Sequence, residues 1–130
     1  MVITAATANA TIAARATGTK APMALVRNVD RGERVTDLFN EIKSLQWRTG
    51  NEHAIVKLAN GDRAIVAGGP NGIEFADGQI AMLYAHTHPY DAVGLARPSP
   101  DDFQALRALG QSSSWLLERG QLVRFWAVRG

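Results

Sequence analysis

The sequence predicts a mixed α/β (α+β) domain, with a largely antiparallel sheet flanked by two helices. Three observations carry that expectation. Apolar residues recur at helical spacing near residue 40, an Asn60-Gly61 pair separates two strand-like runs, and Ser99-Pro100-Asp101-Asp102 has the makeup of a helix start. The chain has 130 residues, 46% of them hydrophobic and 20% charged, which suits one domain with one core.

Residues 1–22, rich in Ala and Thr, read as a flexible arm or linker, and residues 23–130 as the folded domain. An edge strand around residues 23–29 is a second reading of the segment next to that boundary. No basic region precedes an apolar stretch in the arm, so a secretory signal is not expected. The expected location is cytoplasmic, or within a larger secreted protein that delivers the domain.

Val35, Leu38, Phe39, Ile42 and Leu45 share one helical face, with Glu33, Arg34, Asp37, Asn40 and Lys43 opposite, so residues 33–46 read as an amphipathic helix stopped by Gly50. Residues 53–58 and 63–67 form the expected hairpin through Asn60-Gly61. Gly68 to Gly72 reads as a turn, because neither a Lys-Ser/Thr pair nor a helix follows to make a phosphate loop. Residues 80–88 are strand-like and end at Pro89. Ser99 caps a helix running to Leu109, with Pro100 at its first position, acids in its first turn and Gly110 closing it. Residues 115–118 and 122–128 read as a last hairpin around Arg119-Gly120. The expected order is helix, three strands, helix, two strands.

Composition narrows the chemistry. There is no cysteine, so thiolate metal sites, disulfides and cysteine nucleophiles are excluded, and any metal must be held by His, Asp, Glu or water. A net charge of +2 with dispersed basic residues makes no phosphate-binding stripe, so nucleic acid is not an expected partner. No apolar run approaches the ~20 residues of a membrane helix, so no membrane is expected either.

Two of the three histidines fall in His86-Thr87-His88-Pro89, at a predicted strand end. Side chains alternate along a strand, so His86 and His88 point to one face with Cα atoms ~7 Å apart and can converge on one ion. Catalytic zinc typically takes three protein ligands and keeps one position open. Asp102, in the first turn of the next helix, is the candidate third ligand; Asp101 is a fallback and Asp91 a weaker one. A carboxylate must also move a proton between water and leaving amine. Glu52 can do so if the strand it precedes neighbours the one carrying His86.

Glu52, His86-Thr87-His88-Pro89 and Ser99-Pro100-Asp101-Asp102 resemble, in order, the signature of the JAMM (MPN-type) metalloproteases: an upstream glutamate, His-x-His-Pro, a loop and Ser-x-x-Asp. The resemblance spans roughly residues 33–128, where only element order agrees outside the motif. It implies a JAMM/MPN-like fold and a zinc-dependent peptidase or isopeptidase acting on a protein or peptide. His86, His88 and Asp102 match the zinc ligands, Ser99 the serine that helps hold the oxyanion, and Glu52 the general base. The loop after Pro89 is longer than the family's, and His53-Ala54-Ile55-Val56 lacks the glycine that usually follows the glutamate. Glu41 lies nearer the family's usual distance upstream and stands second to Glu52 as base.

Some prokaryotic relatives in that family are toxin domains, which would imply a cognate inhibitor protein. A catalytically inactive MPN-like interaction module and a metal-dependent toxin hydrolase or nuclease are the competing functions. Ser99-Pro100-Asp101-Asp102 is also a complete helix cap without any chemistry. His53 reads as an exposed strand residue or as one that orients Glu52. Tyr84 is expected on the face of His86. Most of Trp47, Trp115 and Trp126 are expected in the core.

Overall fold

A computed structural model describes residues 10–13, 19–88 and 97–127. Among these the elements run β1 (Ala10–Ala13), β2 (Ala21–Pro22), β3 (Ala24–Asn28), α1 (Val35–Thr49), β4 (His53–Leu58), β5 (Arg63–Ala67), β6 (Gly72–Phe75), β7 (Ile80–Thr87), α2 (Pro100–Leu109), β8 (Ser113–Glu118) and β9 (Gln121–Trp126). The domain is mixed α+β, with two helices and nine strands in mostly antiparallel sheets among the described residues. No helix there is long and apolar enough to cross a membrane.

The main sheet has the order β3-β5-β4-β7-β8-β9 and is antiparallel except at β7 and β8. Those two strands are parallel, which needs a crossover connection between them, and α2 lies in it. Strand alternation then gives the sheet two different faces. Ile55, Ile65, Ala85 and Leu117 pack with Leu38, Phe39 and Ile42 of α1. Ala54, Val56, Ala64, Val66 and Leu83 pack against Ala105 of α2 and against a three-stranded sheet ordered β1-β6-β2.

That second sheet corrects the expected arm over residues 1–22. In its described part, β1 pairs antiparallel and β2 parallel with β6, and Ile12 and Ala13 are fully buried. Small residues make this possible. A side chain on Gly72 would come within 2.6 Å of the Ile12 carbonyl, and one on Gly68 within 2.8 Å of the Ile73 Cα. The glycines of this turn serve close backbone packing. The edge strand read around residues 23–29 is β3.

Local signals held where the chain decides them locally. Gly50 and Gly110 end the helices in left-handed conformation, with φ of 76° and 66°. Val35, expected on the packed face of α1, is instead half exposed. Tyr84 departs for a clear reason. The β4–β7 register shifts between Ile55↔Ala85 and Val56↔Leu83, an extra residue on β7 that turns Tyr84 toward α1 and away from the face of His86.

Arg27 on β3 ties that edge to α1. Its guanidinium donates to Glu33 at 2.6 and 2.9 Å and to Glu41 at 2.6 and 2.9 Å. These bonds hold Glu33 down to about 2 and lower Glu41 as well. Stability from this cluster is therefore complete above the ordinary carboxylate value of 4.5 and lost as pH falls through the lowered values. We expect Arg27→Met to cost more stability at pH 6 than at pH 3 in urea titrations at low salt. An equal loss at both would show that the cluster contributes packing alone.

Candidate metal centre

His86 and His88 lie at the carboxyl end of β7, where the parallel pairing with β8 stops. His86 is level with Leu116, Thr87 with Leu117, and the His88 N–H donates to the Leu117 carbonyl at 3.1 Å. Alternation sends Thr87 toward α1, where its hydroxyl donates to Gln46 Oε1 at 2.6 Å and accepts from the His53 N–H at 3.0 Å. The two imidazoles face the other way, toward α2, with ring centroids 5.2 Å apart.

Asp102 meets them there. Ser99 is the N-cap of α2 in a full capping box: its Oγ accepts from the Asp102 N–H at 3.2 Å, and Asp102 Oδ2 accepts from the Ser99 N–H at 3.0 Å. The same Oδ2 lies 3.1 Å from His86 Nε2 and 2.9 Å from His88 Nε2. Oδ1 accepts from the Ala13 N–H of β1 at 2.9 Å. The cap and the site are thus one structure, and a strand from the expected arm completes it.

His86, His88 and Asp102 are all buried, and one donor atom from each lies within 4.8 Å of the others. Two imidazole nitrogens and a carboxylate oxygen, converging with little solvent, form a group able to hold a metal ion. Burial opposes ionisation of Asp102, but the His86 imidazole beside it and the hydrogen bond from His88 hold its carboxyl well below the usual range. Burial likewise opposes charge on His88, but Asp102 and Glu118 raise its proton affinity above the ordinary value. A metal ion must displace that proton to reach Nε2.

Glu52 precedes β4, which does neighbour β7: Ala54 is level with His86, and Glu52 stands two residues before Ala54, the spacing of one strand face. It is fully buried and stands outside the ligand group. Glu41, the second candidate base, is engaged by Arg27. Asp101 pairs with Lys20 at 3.6 Å. Asp91 lies outside the described residues, as do Pro89 and Tyr90.

His53 is neither exposed nor on the site's face. It is buried, with Nδ1 2.8 Å from the Asn51 carbonyl, and burial lowers its proton affinity. Of the tryptophans only Trp115 joins the core, tilted against Phe39. Trp126 is exposed under the Arg124 guanidinium, and Trp47 is 64% exposed. Trp47 lines a cleft of about 420 Å³ with Lys43, Thr87, His88, Glu118 and Arg119, so the cleft reaches one of the three converging residues.

Two contributors escaped the sequence reading. Glu118 Oε1 lies 2.7 Å from His88 Nδ1, and the Ala13 amide holds Asp102. Both depend on pairings between distant strands, and no local spacing signals either. No protein-family model, curated protein or solved structure matches the chain.

Proposed function

We propose that the chain is a zinc-dependent peptidase or isopeptidase that hydrolyses an amide bond, in the manner of the JAMM (MPN-type) enzymes its motif resembles. The observation that carries this reading is the convergence of His86 Nε2, His88 Nε2 and Asp102 Oδ2, with Glu52 on the same sheet face but outside the group. The donor set suits zinc: two imidazoles and one carboxylate leave a position open. When bound, zinc supplies a Lewis acid for the scissile carbonyl and makes water acidic enough to attack near neutral pH.

The remaining work falls to the chain. Ala13 and Ser99 hold the Asp102 carboxylate through their N–H groups, so its orientation is set before any ligand arrives. Glu52 takes the proton from the attacking water and delivers it to the departing amine. Ser99 Oγ already accepts from the Asp102 N–H, which makes its own O–H the donor for the developing oxyanion. The cleft between α1 and the β8–β9 turn admits a peptide to the His88 side of the centre.

Metal removal tests the proposal. Protein stripped with chelator should not cleave peptide or isopeptide-linked substrates, and one equivalent of zinc should restore cleavage. Full activity in the stripped protein contradicts the mechanism. Zinc binding without turnover of any amide substrate favours an interaction module, and cleavage of RNA or DNA instead favours a nuclease.

A further inference from the structure

Glu118 is a buried acid at the last position of β8, 4% exposed. A carboxylate is not kept in such a place unless its charge is met. Among the described residues the partner of its Oε1 is His88 Nδ1, at 2.7 Å. The opposite nitrogen of that ring, Nε2, points at Asp102 Oδ2 and the His86 ring.

The backbone holds Glu118 there by two constraints. Parallel pairing sets Thr87 level with Leu117, which puts His88 level with Glu118 on one face. Immediately beyond, Arg119 and Gly120 make a two-residue turn with φ of 48° and 78°. A non-glycine residue in left-handed conformation is disfavoured. The chain accepts it at Arg119, and the tight turn fixes Glu118 opposite Gln121.

Resting on the metal-site reading above, we propose that Glu118 is a positioning residue for the centre. It accepts the Nδ1–H of His88, fixing the tautomer and ring angle so that the Nε2 lone pair faces the point shared with His86 and Asp102. The two histidines are then held by different means. His86 Nδ1 has no hydrogen bond among the described residues, and its ring is oriented by packing edge-on against Phe125 at 5.8 Å.

The test compares E118Q and E118M with the unaltered chain, using cobalt(II) as a spectroscopic probe and zinc competition against a chromophoric chelator. Glutamine can still accept the Nδ1–H; methionine fills the space and cannot. We expect E118M to weaken zinc about 10- to 100-fold and to change the cobalt d–d spectrum, and E118Q to restore most of both. Circular dichroism of the metal-free proteins should be alike. If E118M folds and binds both metals as the unaltered chain does, the proposal is overturned while the metal centre stands. If E118Q is as impaired as E118M, Glu118 acts through its charge and the positioning role is likewise overturned. An unaltered chain that binds neither metal removes the centre itself, and this proposal with it. Should E118M fail to fold, E118Q decides: near-native affinity and spectrum support the role, and a 10-fold loss overturns it.

Discussion

Asp102→Ala should abolish stoichiometric zinc binding and destabilise the metal-free protein by about 3–5 kcal/mol, the range for breaking one side of a buried charged pair. Several contacts meet on this one side chain. Its two oxygens accept from the Ala13 and Ser99 N–H groups and face both histidine Nε2 atoms. Truncation leaves two buried amides without acceptors, His88 with Glu118 as its one remaining acidic partner among the described residues, and the capping box of α2 half empty. Asp102→Asn should be milder in stability, because one amide oxygen can still accept from the backbone, yet nearly as severe in zinc affinity, because the anionic ligand is gone. Urea titration with zinc competition separates the two effects. Zinc affinity unchanged in Asp102→Ala would mean that another acid is the third ligand.

Glu52→Gln should keep zinc affinity within about threefold and lower turnover by roughly 10²–10⁴, the usual worth of a positioned general base. The substitution preserves shape in a fully buried position, so the fold should tolerate it. Glutamine cannot take the proton from water, and Glu52 is not among the converging ligands, so binding and catalysis should part company here. Glu41→Gln is the matched control. Its carboxylate serves Arg27 at the β3 edge, and its loss should leave turnover unchanged. Steady-state kinetics on zinc-loaded variants decides the matter. Full turnover in Glu52→Gln would remove the assigned base, and loss in Glu41→Gln would reassign it.

The parts of this molecule that were legible in its sequence are those set by neighbouring residues. The apolar spacing of Leu38, Phe39 and Ile42, the Asn60-Gly61 turn, the Ser99 cap and the Arg119-Gly120 turn each depend on contacts within a few positions. The histidine pair was legible for the same reason, since alternation along β7 needs no partner strand. The helix start at Ser99 is recognisable by its makeup, and the resemblance to the Ser-x-x-Asp spacing singles out Asp102 over Asp101.

What escaped depends on strands meeting from far apart. Ala10 to Ala13 show no alternation of apolar and polar residues, because both of their faces are covered; small residues without that alternation read as an arm. The Tyr84 displacement follows from an extra residue against β4 that neither strand reveals alone. Glu118 lies thirty residues beyond His88 and reaches it through a parallel pairing that a hairpin reading of β8 and β9 does not contain.

The proposed chemistry requires one ion shared by two imidazoles and one carboxylate. Anomalous diffraction collected on both sides of the zinc edge, from crystals grown with one equivalent of zinc, tests it most directly. A single strong peak is expected ~2.0–2.2 Å from His86 Nε2, His88 Nε2 and an Asp102 oxygen, with an open position toward Glu52. A zinc peak elsewhere, or none between these three side chains at full zinc loading, would contradict it.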